Sequence, residues 1–410
     1  MRSQEKIRAA LQPVVDAGEL AGAATLVWRE GDAEAMSTCV GWRDFEAKSP
    51  ISRETIFRIA SMTKPITSVA ALMLVDEGRI ELNEPITRYA PEFSRMQVLR
   101  SPNAPLNETD AAERPITFDD LLTHRAGLTY ADFHQGPIAQ AYREVLGGDI
   151  DSDVQPDEWI AGLARLPLIA QPGTVMTYGR ATDLLGWLVA RIEGKPLGAV
   201  LERRIFGPLK MKDTSFVVPR EKWERRAEAY GFDESGHLTR RVTWSGVVIA
   251  ERPVNMAYES GGAGLWSTVD DYLKFARLFL GGGEVEDVHL LRPETLQRMM
   301  TNQLTDSQRA NSSLLGQKPF AVGRGFGLGV SVVLKTKDDD FMRRGSVGTV
   351  SWPGAFGGWW QADPKQGSVF IFLAHNMVDL AQMAKGVGLG VWSAIEAFQT
   401  AAMVGASAEP

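Results

Sequence analysis

Apolar positions along the chain switch between a helical and a strand period, and the switches divide it into elements. Ile7, Leu11, Val14 and Val15 recur at helical spacing within 4–17, and Gly18 stops the run. The runs 23–28 and 36–42 read as strands, and the turn-forming Glu30-Gly31-Asp32 between them makes a hairpin. Residues 61–76 are nearly all apolar beyond Lys64, which predicts a buried helix closed by Gly78. From 85 to 217 the patterns are mostly helical, over 118–122, 138–146, 157–165 and 182–192, joined by loops rich in Pro, Asp and Gly. Strands return at 326–334, 356–362 and 368–373, and a last helical pattern covers 380–403. The polar run 301–313 predicts a surface loop. Strands at both ends around a helical middle predict an α/β (α+β) fold. One antiparallel sheet, flanked by helices, would be assembled from 1–85 and 218–410. A mostly helical domain, 86–217, would be inserted between them, with the active site in the cleft.

Composition narrows the class of partner. The 410 residues are 44% hydrophobic and 23% charged, ordinary values for a globular protein. The 51 acidic residues outnumber the 44 basic ones, giving a net charge of −7, and no basic stripe appears. Nucleic acid is therefore not expected as a partner. The N-terminal residues turn polar at once and no apolar run reaches membrane-spanning length. The expectation is a cytoplasmic protein with no membrane partner. Cys39 is the single cysteine, so no intrachain disulfide can form, and its strand-like setting suggests a structural thiol. The histidines 124, 134, 237, 289 and 375 lack metal-binding spacing, so no metal is expected.

The sharpest chemical feature is Phe57-Arg58-Ile59-Ala60-Ser61-Met62-Thr63-Lys64-Pro65. Ser61 and Lys64 stand three residues apart at a helix start, and positions i and i+3 share a helix face. A serine hydroxyl becomes a nucleophile once a base takes its proton, and a desolvated lysine can be that base. The apolar residues after Lys64 imply that the pair is partly desolvated. No Gly-x-Ser-x-Gly elbow occurs, which argues against the other common serine-hydrolase arrangement.

These residues, with their flanking blocks, resemble the serine β-lactamase and penicillin-binding protein superfamily. The chain is most similar to its class C β-lactamase-related branch, which includes the family VIII carboxylesterases. Leu121-Leu122-Thr123-His124-Arg125-Ala126-Gly127-Leu128, Gln171-Pro172-Gly173 with Tyr178, and Gly261-Gly262-Ala263-Gly264-Leu265-Trp266-Ser267-Thr268 resemble family blocks in the expected order. The resemblance implies Ser61 as nucleophile, with Lys64 and Tyr178 handling its proton. Tyr178-Gly179-Arg180 stands where the family has Tyr-x-Asn, so Arg180 is expected at the surface or on a substrate. Trp352-Pro353-Gly354 stands where β-lactamases carry Lys-Thr-Gly and the related esterases Trp-Gly-Gly. A tryptophan cannot bind a penicillin's carboxylate as a lysine does, and it suits an uncharged ester. By the same resemblance, the Ser61 and Ala355 backbone N–H groups form the oxyanion hole.

The expected substrate-side residues are Trp352 and Gly354, with Phe356 and Trp359 as further contacts. Tyr130, Phe133 and Trp360 read as core by default. His124 and His375 read as structural, and the alternating Gly323, Gly325, Gly327 and Gly329 as a strand entry. The loops 218–259 and 301–318 are expected to shape the pocket. The resemblance implies a carboxylesterase for short-chain esters, working without cofactor through an acyl-serine; the sequence leaves monomer and homodimer both open. The alternatives that keep the same serine are a β-lactamase, a D-amino-acid-type peptidase or amidase, and an acyltransferase. A non-catalytic penicillin-binding-type sensor is the remaining one.

Overall fold

A computed structural model describes residues 3–244, 247–248, 258–312, 317–377 and 379–404. Eight strands form its central sheet: β1 (Gly22–Arg29), β2 (Met36–Asp44), β3 (Ser49–Pro50), β4 (Arg324–Phe326), β5 (Ser331–Val333), β6 (Val350–Gly354), β7 (Gly358–Asp363) and β8 (Ser368–Ala374). Their order is β4-β5-β6-β7-β8-β1-β2-β3, and every pairing is antiparallel. The two ends of the chain meet where β1 pairs with β8, from Ala23 opposite Ala374 to Arg29 opposite Ser368.

Both faces of the sheet are covered, and the period of two in its strands shows how. On β1, Ala23 and Val27 face one apolar layer while Ala24 and Leu26 face another. The first layer holds α1 (Ser3–Asp16), which presents Ile7, Leu11 and Val15, and the C-terminal α5 (Gly390–Val404). The second holds α2 (Thr63–Asp76), α3 (Ala181–Glu193) and α4 (Val269–Ala276). Residues 63 to 72 of α2 are all buried, so helices or strands surround its first turns.

Several expected boundaries move. The run 326–334 is two strands, β4 and β5, because the chain turns at 327–330, where Gly329 takes a positive φ of 91°. The run 356–362 begins as a strand only at Gly358, since Phe356 lies in the turn joining β6 to β7. Strand β6 went unread because Pro353 argues against an interior strand. The β5 ladder covers only Ser351 and Val350, so the N–H that Pro353 lacks has no partner to lose there. The polar run 301–313 contains a helix, Asp306–Asn311, whose start carries a capping box from Thr305 and Gln308; Ser313 lies outside the described residues. The helix expected over 380–403 is broken by Gly386 and Gly388, both at positive φ. The mostly helical middle also holds a hairpin, Gln97–Leu99 with Thr109–Ala111. The 218–259 stretch forms a 3-10 turn, Arg220–Arg225, and a hairpin, Tyr230–Phe232 with Leu238–Arg240. Residues 249–257 of it, and 313–316 of the 301–318 loop, lie outside the described residues. Among the described residues no helix is long and apolar enough to cross a membrane.

Candidate active site

Ser61 sits in a 3-10 turn, Ala60–Met62, that feeds directly into α2. Ala60 before it takes a φ of +43°, which is strained for a residue with a Cβ. The turn is held because Ile59 N–H donates to Leu265 O at 3.0 Å and Phe57–Arg58 pairs with Trp266–Ser267. Ser61 is half-buried, so its hydroxyl stays reachable, whereas Lys64 one turn on is fully buried.

The Lys64 side-chain nitrogen has three partners. Nζ lies within hydrogen-bond distance of Ser61 Oγ at 3.3 Å, Tyr130 Oη at 3.0 Å and Gly262 O at 2.8 Å. Three polar partners surround the nitrogen, so the head group is held in place. Tyr130 Oη in turn donates to Asp183 Oδ2 at 3.2 Å. Asp183 lies in the first turn of α3, and its Oδ1 accepts from Ser260 Oγ at 2.5 Å and Gly262 N at 3.1 Å. Burial, with the Asp183 carboxylate adding to it, pushes the Tyr130 phenol well above its ordinary range. The resting form of Tyr130 is therefore the neutral phenol.

Tyr178 stands on the other side of the lysine. Lys64 Nζ lies 4.6 Å from the centre of its ring. Its Oη accepts a hydrogen bond from Trp352 Nε1 at 3.2 Å, and Phe133 stacks on it at 5.6 Å. Gly179 explains how both tyrosines reach one lysine: a Cβ there would lie 2.3 Å from Thr129 Cα. Only glycine lets the 128–130 backbone pass so close and bring Tyr130 beside Tyr178. His124 packs on Tyr178 at 4.8 Å between ring centres, and burial, with the Lys64 charge, pushes its imidazole well below 6.5. It stands beside Tyr178 as a neutral ring.

Strand β6 delivers the far wall. A Cβ on Gly354 would lie 2.5 Å from Ile59 O, so this strand end abuts the backbone just before Ser61. Ala355 follows, half-buried, and no described residue accepts a hydrogen bond from its N–H or from that of Ser61. Two donors are thus left over beside one hydroxyl.

A family model described as Beta-lactamase matches residues 7–387. The chain belongs to the beta-lactamase family. It is 44% identical to Protein Rv1367c of Mycobacterium tuberculosis over 375 residues, which cover 91% of this chain and 90% of that one. It is 31% identical to Esterase EstB of Burkholderia gladioli over 372 residues, covering 87% and 86%. Among solved structures, EstCE1, described as a hydrolase with promiscuous acyltransferase activity, superposes with a TM-score of 0.77 at 25% identity, covering 97% and 98%. The antiparallel sheet with helices on both faces is this family's fold.

In this beta-lactamase-family site the expected residues fall into three groups. Ser61, Lys64, Tyr178, Trp352 and Gly354 lie around one point, with Ala355 next along the chain. Trp352, expected as an apolar surface for substrate, is only 2% exposed and offers the site its indole N–H. Phe356 is buried against His375 beside Ala60, one residue behind the serine. Trp359 corrects an expectation: it points to the opposite face of the sheet, where it packs with Phe341 among the terminal helices. Alternation along β7 decides this, since Trp360 takes the site-side layer. Arg180 is a second correction. It is neither at the surface nor placed to meet a substrate: it is fully buried and pairs with Asp149 at 2.7 Å. Tyr130, Asp183, Ser260 and Gly262 were missed as site residues. The signals were faint: Tyr130 follows the 121–128 block by two residues, Asp183 opens the helix after Tyr178, and Gly262 lies inside the 261–268 block.

Proposed function

We propose that this chain is a serine carboxylesterase for short-chain, uncharged esters, acting through an acyl-serine intermediate. The observation that carries the reading is a fully buried lysine amine 3.3 Å from a reachable serine hydroxyl. Ser61 Oγ attacks the ester carbonyl carbon. Lys64 and Tyr178 take the hydroxyl proton and pass it to the departing alcohol. The Ser61 and Ala355 N–H groups receive the tetrahedral oxyanion. Water then attacks the acyl-enzyme, with the same two side chains as base. As Tyr178 gives its hydroxyl proton to the departing alcohol oxygen and regains one from Lys64, which holds the Ser61 proton, the Trp352 indole N–H steadies the negative charge that develops on Tyr178 Oη. In this reading 86–217 is the insert and the serine lies in the cleft between it and the sheet domain of 1–85 and 218–410.

Preference for an ester over a β-lactam rests on β6. Its residues, Val350-Ser351-Trp352-Pro353-Gly354, carry no cation to pair with a substrate carboxylate. The likeness to Esterase EstB supports the same choice. The test is p-nitrophenyl butyrate with wild type and Ser61→Ala. A burst of p-nitrophenol in wild type and its loss in the variant are expected. A variant that keeps its rate, or equal turnover of a chromogenic cephalosporin, overturns the reading. Transfer of the acyl group to an alcohol is a second reading, favoured by the promiscuous acyltransferase activity described for EstCE1. Ester formation on adding an alcohol distinguishes it from hydrolysis.

A further inference from the structure

We infer that residues 147–152 form a strap that sets the length of acyl chain accepted, with Ile150 as the residue the acyl tail meets. The inference rests on the acyl-serine reading above. Two buried arginines anchor the strap, and each lies within three residues of a site residue. Arg180, two residues after Tyr178, donates through Nη2 to Gly148 O at 3.0 Å and to Asp149 Oδ1 at 2.7 Å. Arg58, three residues before Ser61, donates through Nη1 to Asp151 Oδ2 at 2.6 Å. Asp149 is tied further by the Ala131 N–H at 3.3 Å and the Asp132 N–H at 3.1 Å. Ser152 Oγ closes the strap on Leu146 O at 2.7 Å.

Ile150 is the apolar residue held between these two ion pairs. It packs in a small separate cluster with Ala60, Ala229, Ala263 and Phe356, flanked by the half-buried Ala355 and Met377. Three members adjoin site residues in sequence: Ala60 precedes Ser61, Ala263 follows Gly262, and Phe356 follows Ala355. The cluster therefore abuts the backbone that carries the serine and the oxyanion donors, and in this proposal it is the apolar surface that an acyl chain on Ser61 meets. Three of its five side chains are alanine, so Ile150 and Phe356 supply most of its bulk. Ile150 is 6% exposed, and the two ion pairs prevent it from swinging aside as a free loop residue would. This explains why a buried site carries two aspartates flanking one isoleucine: charge fixes the backbone and the isoleucine fixes the volume.

The test is the ratio of kcat/KM for p-nitrophenyl octanoate to that for p-nitrophenyl acetate. It is measured in wild type, Ile150→Ala and Ile150→Trp, each checked for cooperative melting. A methylene-sized change in an apolar pocket shifts such ratios by about tenfold or more. The ratio is expected to rise at least about tenfold in Ile150→Ala and to fall by a similar factor in Ile150→Trp. If one of these fails to fold, Ile150→Val and Ile150→Phe carry the test in the same directions with smaller steps. Ratios that stay within about twofold of wild type, or folded variants that no longer take up acetyl on Ser61, overturn the strap while leaving the acyl-serine reading intact. Absence of any Ser61 adduct in wild type overturns both.

Discussion

The two tyrosines flanking Lys64 are predicted to differ in what their hydroxyls do, and single-atom deletions separate them. Tyr130→Phe removes an acceptor of one Lys64 N–H and the donor to Asp183 Oδ2. Both are hydrogen bonds to charged groups, worth roughly 1.5–3 kcal/mol each. Asp183 keeps Ser260 and Gly262 as partners, and Lys64 keeps Ser61 and Gly262. The expected penalty on acylation is therefore one such bond, or about 10- to 100-fold in kcat/KM. Tyr178→Phe removes the atom assigned to the proton shuttle and leaves the Trp352 N–H without its acceptor. General acid–base groups contribute about 10²- to 10⁴-fold, so the larger loss is expected here. The assay is initial-rate hydrolysis of p-nitrophenyl butyrate, with melting curves to show that both variants fold. The reverse order, with Tyr130→Phe approaching the defect of Ser61→Ala and Tyr178→Phe nearly wild type, refutes the assignment. It would mean that the tyrosine bonded directly to Lys64 moves the proton.

Three further outcomes follow from burial and packing. Arg180→Met leaves the Asp149 carboxylate buried without its ion partner, and should lower the urea unfolding free energy by about 3–5 kcal/mol. Arg180→Met with Asp149→Asn, which removes the unpaired charge and keeps an acceptor for the Ala131 and Asp132 N–H groups, should restore most of that; no recovery contradicts the argument. Burial, with the Arg58 charge nearby, holds the His375 imidazole at about 3, against about 6.5 in the unfolded chain. Between those values the unfolded state binds the extra proton, so stability from this group is full above about 6.5 and is lost as pH falls towards 3. The loss reaches about 3 kcal/mol at pH 4, and His375→Phe should flatten the pH 7 to 4 trend in urea midpoints; an unchanged slope contradicts it. Gly354→Ala puts a methyl 2.5 Å from Ile59 O and should displace the Ser61 turn, costing activity more than the roughly 1–3 kcal/mol expected of overpacking; full activity counts against the close approach.

How far the chain could be read from its residues depended on what each reading needed. The hairpin of β1 and β2 and the helix after Ser61 were legible because local period and turn residues decide them. The Ser61–Lys64 contact was legible because three helical residues fix it. Trp359 was misplaced because both faces of β7 are buried, so the apolar run carries no alternation, and only its pairing with β6 and β8 decides which face each residue takes. Arg180 was misread because its partner, Asp149, lies 31 residues away in a loop without a pattern of its own. Tyr130 and Asp183 stayed hidden for a related reason: Tyr130 meets Asp183 across 53 residues and Lys64 across 66, and the packing of Gly179 against Thr129 is what brings Tyr130 to the site.

The central claim is that Ser61 carries the acyl group with Lys64 beside it as base. Its most direct test is rapid acid quench during turnover of p-nitrophenyl butyrate, followed by intact mass and peptide mapping. The account predicts one butyryl group, on the peptide containing Ser61, absent in Ser61→Ala and barely formed in Lys64→Ala. A butyryl group on any other residue, or full acylation of Ser61 in Lys64→Ala, contradicts it.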